Sequence, residues 1–186
     1  MREMCGRFAF QGQHWPDIVV DIDKPHFDPN YNICPQDSVP VIHLDAGNTA
    51  VTSMRWGLRP SWNKESTMEP INARIETVES KPMFRDAYHH RRCLVPADGW
   101  YEWKKTGTTK TPYYFCSKNT EAMFFAGVYN ENGCCIVTKE ANNEIKNFHH
   151  RQPVILEQKD ILSWIEESDF GNKINSLDIY QVSTQV

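Results

Sequence analysis

Apolar residues gather in short strand-length runs along most of this chain, some alternating with polar residues at a period of two, and turn-forming residues interrupt them. Runs of this kind occupy residues 6–10, 39–44, 50–56, 93–96, 100–104, 112–116, 123–129, 134–138, 154–156 and 180–183, and each reads as a strand with one face turned to a core. Gly107, following Lys104 and Lys105, and the stretch Asn130-Glu131-Asn132-Gly133 separate neighbouring runs as hairpin loops. Helical spacing is rarer. It is clearest over residues 160–167, where Ile161, Leu162, Trp164 and Ile165 recur on one side, and it extends to residues 14–22, 73–80, 82–89 and 140–148. The pattern predicts an α+β chain dominated by short antiparallel strands with short helices at the periphery. There is no repeat, low-complexity tract or long linker, so residues 1–186 are expected to form a single β-rich domain.

Composition narrows the function classes. No run approaches the roughly 18 apolar residues of a membrane span, and the start of the chain lacks a signal-peptide pattern, so a cytoplasmic protein without membrane contact is expected. The six cysteines (5, 34, 93, 116, 134, 135) form no CxxC pair. Neither a zinc site nor a disulfide framework is therefore predicted, and no cofactor is called for. The formal net charge is −4, which argues against capture of nucleic acid by bulk charge. Its distribution argues otherwise, because residues 51–110 hold 11 Lys or Arg against 7 Asp or Glu whereas residues 1–50 hold 3 against 7. A local basic groove on an acidic protein can still neutralise a few phosphates. Six Trp and seven Tyr serve either a core or a base-stacking surface.

Cys5 carries the most distinctive chemistry, provided that it is the first residue. An N-terminal cysteine is a 1,2-aminothiol: its amine condenses with an aldehyde to an imine, and its thiolate then closes a five-membered thiazolidine. An internal cysteine behaves as a small hydrophobe instead. Translation from Met4 followed by removal of that Met would expose Cys5, whereas Arg2 would block clipping after Met1. Residues 1–4 are accordingly expected to be absent from the active form.

Further segments place this cysteine in context. Tyr31-Asn32-Ile33-Cys34-Pro35, Met54-Arg55-Trp56-Gly57-Leu58-Arg59-Pro60, Ile71-Asn72-Ala73-Arg74-Ile75-Glu76, Cys93 to Trp103 and His149-His150-Arg151-Gln152-Pro153-Val154-Ile155-Leu156 follow one another in order. Together they resemble the SOS-response-associated peptidase (SRAP) family of abasic-site processing proteins, from Cys5 to about Leu156. The resemblance implies a partly closed, barrel-like central β structure. It also implies an activity: covalent capture of abasic sites in DNA as a thiazolidine through Cys5. Single-stranded DNA is the expected partner, because an unpaired strand bends into a narrow pocket without the cost of unpairing. A monomer is expected, because a single-site scavenger needs no partner subunit, and a lyase side reaction is expected, because the imine acidifies the neighbouring carbon for β-elimination.

The resemblance also assigns roles to individual side chains. An abasic sugar is mostly a closed hemiacetal, so its ring oxygen needs a proton donor. His149, which matches the family's histidine before Arg-x-Pro, takes that duty, with an ordinary pKa of about 6.5 that suits it. On residue chemistry alone His150 is equally eligible. Glu102 shares a strand face with Trp100, opposite Tyr101 and Trp103, and the family implies that it moves protons during imine formation and ring closure. Asn72 offers an amide donor and acceptor to position the amine or the sugar, and a helix N-cap for residues 73–80 is its alternative use. Arg7, Arg74 and Arg151 present forks suited to phosphate. Asn32, Pro35 and Trp62 complete the DNA-contacting set, Pro35 and Trp62 resembling an apolar wedge that stacks on bases. Asn63 stands where many relatives carry a second aromatic.

Two other readings remain open on the sequence. One is a cysteine peptidase with Cys5 as nucleophile, His149 as base and Asn72 orienting, in which self-cleavage at Met4-Cys5 would create the terminus. The other is a non-covalent single-strand binding module. The segment 181–186 resembles the start of the family's last conserved stretch, and a truncated C-terminus is the corresponding expectation.

Overall fold

The computed structural model describes residues 6–19, 21–62, 67–118 and 123–166, and the backbone of 177–181. In chain order the strands are β1 (Phe8–Phe10), β2 (Asn30–Ile33), β3 (Ser38–Asp45), β4 (Asn48–Arg55), β5 (Asn72–Arg74), β6 (Arg92–Ala97), β7 (Gly99–Thr106), β8 (Thr109–Ser117), β9 (Met123–Asn130), β10 (Gly133–Glu140), β11 (Arg151–Pro153), β12 (Ile155–Leu156) and β13 (Leu177–Gln181). Three short helices join them, α1 (Ile75–Val78), α2 (Arg85–His90) and α3 (Ile161–Ile165). No helix among the described residues is long and apolar enough to cross a membrane.

The strands make two sheets. One has the order β13-β8-β7-β1-β2, and the other runs β11-β10-β9-β6-β3-β4, with β12 paired to β9 and β5 paired to β10. Pairing is antiparallel except for β5 beside β10. Apolar alternation decides how the sheets pack, since successive side chains point to opposite faces. Cys93, Val95, Met123, Phe125, Cys134 and Ile136 face Phe8, Phe10, Trp100 and Phe115 of the smaller sheet in one buried cluster. Leu94, Phe124, Ala126, Val128, Cys135 and Val137 face Val78, Phe84 and Trp164 in a second. Strands β6, β9 and β10 are thus buried on both faces, which is why they read as nearly continuous apolar runs.

The larger sheet curls without closing into a continuous barrel ladder. Trp56, one residue beyond β4, forms an isolated parallel bridge with Cys134 of β10, and the Gly57 N–H donates to the Cys134 carbonyl at 2.9 Å. Gly133 permits that approach. Its φ is +147°, and a Cβ there would lie 2.5 Å from the Gly57 oxygen and 2.6 Å from the Arg55 oxygen.

Local structure departs from the sequence pattern in four places. Residues 72–74 are a strand rather than the start of a helix, because β10 offers them a parallel ladder. Asn72 therefore does not cap α1, whose N-cap is Arg74 without a side-chain bond. Residues 143–148 form successive turns, since Asn142 Oδ1 accepts the Glu144 and Ile145 N–H groups (3.1 and 3.0 Å) and competes with helical pairing. In residues 14–22 only Asp17–Val19 is helical, as one 3-10 turn. There Lys24 Nζ donates to the carbonyls of Val19 and Ile22. Finally, β2 and β11 are additional strands that the pattern does not signal. Of the expected strand at 180–183, residues 182–183 lie outside the described residues.

Candidate active site

Strand β10 organises the site because two three-residue strands flank it. On one edge β5 pairs Asn72 with Ile136 and Arg74 with Thr138. On the other, β11 pairs Pro153 with Thr138 and Arg151 with Glu140. Residues in register share a face, and Ile136 points toward the smaller sheet. Asn72, Arg74, Thr138 and Arg151 therefore share the face that looks across to β7.

On β7 the residue turned to the same side as Trp100 is Glu102, only 4% exposed. The strand alternates as its sequence implies, placing Glu102 with Trp100 and opposite Tyr113 of β8. Phe148 wedges against this surface, its ring centroid 4.8 Å from Tyr113 and 5.2 Å from Phe115, with Lys104 Nζ 5.2 Å above it. Tyr113 lies in register with Glu102 and Lys104 two residues from it, so Phe148 packs on the face of the smaller sheet that carries Glu102, and His149 follows it in the chain. The loop that carries Phe148 is pinned by the Asn142 N–H on Gln152 Oε1 (2.7 Å) and by buried Ile145.

His149 is held in a defined state. The Arg151 N–H donates to its Nδ1 at 3.1 Å, and in a neutral imidazole one nitrogen accepts while the other carries the proton. The neutral ring therefore has its proton on Nε2. The Arg151 carbonyl, 3.3 Å from the same Nδ1, is an acceptor for the opposite tautomer and for the doubly protonated ring, so the N–H contact favours the Nε2–H form by competing with it. His150 is exposed, its ring tilted 33° against that of His149 with centroids 4.4 Å apart.

The N-terminal end of β1 approaches from the smaller sheet. Phe8 pairs with Trp100, and the Tyr101 N–H donates to the Arg7 carbonyl at 2.9 Å. Continuing that register sets Gly6 opposite Glu102, and no atom lies within 4 Å of where a Gly6 Cβ would be. Cys5 lies outside the described residues. Arg7 Nη1 donates to Asn32 Oδ1 at 2.6 Å. Next to Asn32 the chain turns through Cys34-Pro35-Gln36-Asp37, with Gln36 at φ 79°. The turn is tied down by Gln36 N–H to the Trp56 carbonyl (2.8 Å) and Trp56 N–H to the Asp37 carbonyl (2.9 Å). Trp62 is 63% exposed and makes no aromatic ring pair among the described residues. Asn63 lies outside them.

The arginines differ in what holds them. Arg55 and Arg59 both pair with Glu69. Arg151, with a side chain 11% exposed, meets Glu76 bidentately at 2.5 and 2.7 Å. That pairing lowers the Glu76 carboxyl pKa against the opposing effect of its burial. Arg7 and Arg74 have no carboxylate partner among the described residues, which leaves two guanidinium groups of the expected set to meet an anion. Glu76, Thr138 and Phe148 are the site residues that sequence reasoning passed over. Glu76 had a signal, since it ends the same Asn-Ala-Arg-x-Glu segment as Asn72 and Arg74.

Comparison with known proteins bears on this arrangement. The family model described as SOS response associated peptidase (SRAP) matches residues 4–186. The chain is 34% identical over 211 residues to the abasic site processing protein YoaM of Bacillus subtilis (strain 168), covering 98% of this chain and 92% of that protein. To YoqW, an abasic site processing protein of the same organism, it is 31% identical, covering 98% and 94%. Among solved structures, a phage-related protein of Bordetella bronchiseptica superposes with a TM-score of 0.78 at 28% identity, over 96% of this chain and 94% of that one.

Proposed function

The chain belongs to the SOS response associated peptidase (SRAP) family, and from that premise we propose that it processes abasic sites in single-stranded DNA by capturing them covalently through Cys5. The observation that carries the proposal is Phe148, the residue before His149, packed on Tyr113 in register with buried Glu102, beside a β1 strand whose register runs toward the N-terminal end of the chain. The names of the relatives, abasic site processing proteins, support the substrate.

The steps balance without an outside reagent. In its imidazolium form His149 gives the Nε2 proton to the sugar ring oxygen as the C1′–O bond breaks, and the neutral ring takes the proton of the C1′ hydroxyl, so the hemiacetal opens to the aldehyde and the imidazolium is restored. The neutral Cys5 amine adds to the aldehyde carbon, giving a carbinolamine, and Glu102 relays a proton to its hydroxyl, which leaves as water and yields the imine. The Cys5 thiolate then attacks the imine carbon, and the nitrogen takes up a proton as the thiazolidine closes. The net change is one water lost. Asn72 orients the amine or the sugar from the opposite sheet, and Arg7 and Arg74 receive the flanking phosphates. Pro35 and Trp62 offer apolar surface to neighbouring bases, and an unpaired strand can bend into the site without the cost of unpairing. Arg151 and Asn32 act here by holding His149 and Arg7. The imine also acidifies the adjacent carbon, so strand cleavage by β-elimination is expected as a slow side reaction.

Intact mass spectrometry tests the proposal. Protein beginning at Cys5, incubated with a short single-stranded oligonucleotide carrying one abasic site, should gain the oligonucleotide mass less one water. Cys5→Ala and an amine-blocked Cys5 should both abolish the product. Protein that begins at Cys5 and keeps its own mass while binding the oligonucleotide reversibly would overturn covalent capture in favour of a binding module. A product that survives amine blocking would point to the thiol alone, as in a peptidase.

A further inference from the structure

Glu76 contributes no group to the steps above, yet its contacts join the two strands that carry them. Its carboxylate meets Arg151 Nη1 and Nη2 at 2.5 and 2.7 Å, and the same Nη2 donates to the Thr138 carbonyl at 2.7 Å. Thr138 Oγ1 in turn donates to the Ala73 carbonyl at 3.2 Å. Glu76 follows β5, Thr138 lies in the middle strand, and Arg151 begins β11, so this chain of bonds crosses β10 from one edge to the other. We infer that Glu76 is a positioning residue: by clamping Arg151 across β10 it fixes the spacing between Asn72 and His149 and holds His149 with its proton on Nε2.

The flanking strands need such a clamp. Each has three residues, fewer than a usual strand of about five or six, and each is held to β10 by three register pairs and a few backbone bonds at its ends, Ile136 N–H to the Ile71 carbonyl, Ala141 N–H to the His150 carbonyl and Val154 N–H to the Val137 carbonyl. The bond that sets the His149 tautomer comes from the backbone N–H of the residue whose side chain Glu76 grips. A displacement of β11 therefore moves the donor away from Nδ1 and frees the ring to exchange tautomers. An ordinary surface ion pair would matter little. Here the cation is largely buried at 11% side-chain exposure while its partner is 48% exposed. Removing the carboxylate leaves a desolvated guanidinium that must find water or another anion, at the expense of its contact with Thr138. The lowered Glu76 carboxyl is consistent with a pair formed throughout the neutral range.

The consequence for activity rests on the reading of His149 as the proton donor, so the test has one arm independent of that reading. In the DNA-free protein labelled with 15N at histidine, long-range 1H–15N spectra report which ring nitrogen of His149 carries the proton. The wild type is expected to show the Nε2–H form alone. Glu76→Ala, and Glu76→Gln should the first variant fold poorly, is expected to show a mixture of both tautomers, while His43, which lies elsewhere on β3, keeps its pattern. An unchanged His149 pattern in a folded variant overturns the inference. The second arm measures single-turnover crosslinking against oligonucleotide concentration. The maximal rate is expected to fall about 10- to 100-fold, as for a misplaced reacting group, with the half-saturating concentration moving less than about two-fold. Tighter oligonucleotide binding at an unchanged maximal rate would show Glu76 to be only a stand-in for phosphate on Arg151, and would also overturn the inference. If the wild type forms no crosslink but the tautomer responds, the positioning role stands and the covalent reading fails.

Discussion

Replacing Phe148 with Ala separates packing from chemistry at this site, because its ring is the wedge between the sheet that carries Glu102 and the loop that carries His149. The ring is half-buried, so its transfer from water contributes roughly half of the ~1.5–3 kcal/mol assigned to a fully buried phenyl group. Its edge-on contacts with Tyr113 and Phe115 add about 0.5–1.5 kcal/mol each, and Lys104 over the ring about 0.5–1 kcal/mol. The loss is about 3 kcal/mol, which a domain of ordinary stability survives. At this chain length it corresponds to a fall of roughly 6–12 °C in Tm. The rate effect should exceed what lost stability explains. With the wedge gone, His149 is tied to the larger sheet alone, and a shift of about 1 Å is enough to slow a positioned proton transfer by about 100-fold. The assay is single-turnover crosslinking at saturating oligonucleotide, well below the variant's Tm, with Phe148→Leu as the partial restoration. A variant that melts earlier but crosslinks within about two-fold of the wild-type rate would refute the argument that Phe148 places His149.

Gly133→Ala should lower Tm sharply, because the new Cβ meets two backbone oxygens at 2.5 and 2.6 Å and φ +147° suits only glycine. A Tm within about 2 °C of wild type would mean that the bridge from Trp56 to Cys134 is dispensable. Arg7→Ala and Arg74→Ala should each reduce the slope of log affinity against log salt for single-stranded DNA by about 0.7. Arg151→Ala, whose charge Glu76 already offsets, should change the slope less, and equal changes at all three would contradict that distinction. The pH dependence of stability follows from Glu76. Its folded pKa lies below the unfolded value of about 4.3, so the stabilisation is complete above that value and is lost as pH falls through the folded pKa. Urea midpoints from pH 7 to pH 3 should fall further for the wild type than for Glu76→Gln, and parallel falls would remove Glu76 from the acid transition.

Period-two alternation by itself determined most of the strands, both hairpin loops and the side of β7 on which Glu102 stands, because strand geometry couples sequence parity to face wherever one face is buried. It did not show that β6, β9 and β10 are buried on both sides. The local chemistry of Asn72, Arg74, His149 and Arg151 was equally legible, since hydrogen-bonding capacity and charge belong to the residue. Their arrangement was not. Three residues are too few to show a period, so the helix-like run at 73–80 gave no sign that β10 would take residues 72–74 as a parallel strand. The turns at 143–148 hinge on one asparagine oxygen competing for N–H groups, which spacing does not encode. The clamp from Glu76 to Arg151 joins residues 75 positions apart, and the near-closure of the larger sheet depends on Gly133 meeting the backbone of Arg55 and Gly57. Those contacts exist only once the sheets have packed, and through them the tertiary structure decided which arginines have a carboxylate partner among the described residues and which backbone groups of Arg151 meet the His149 ring.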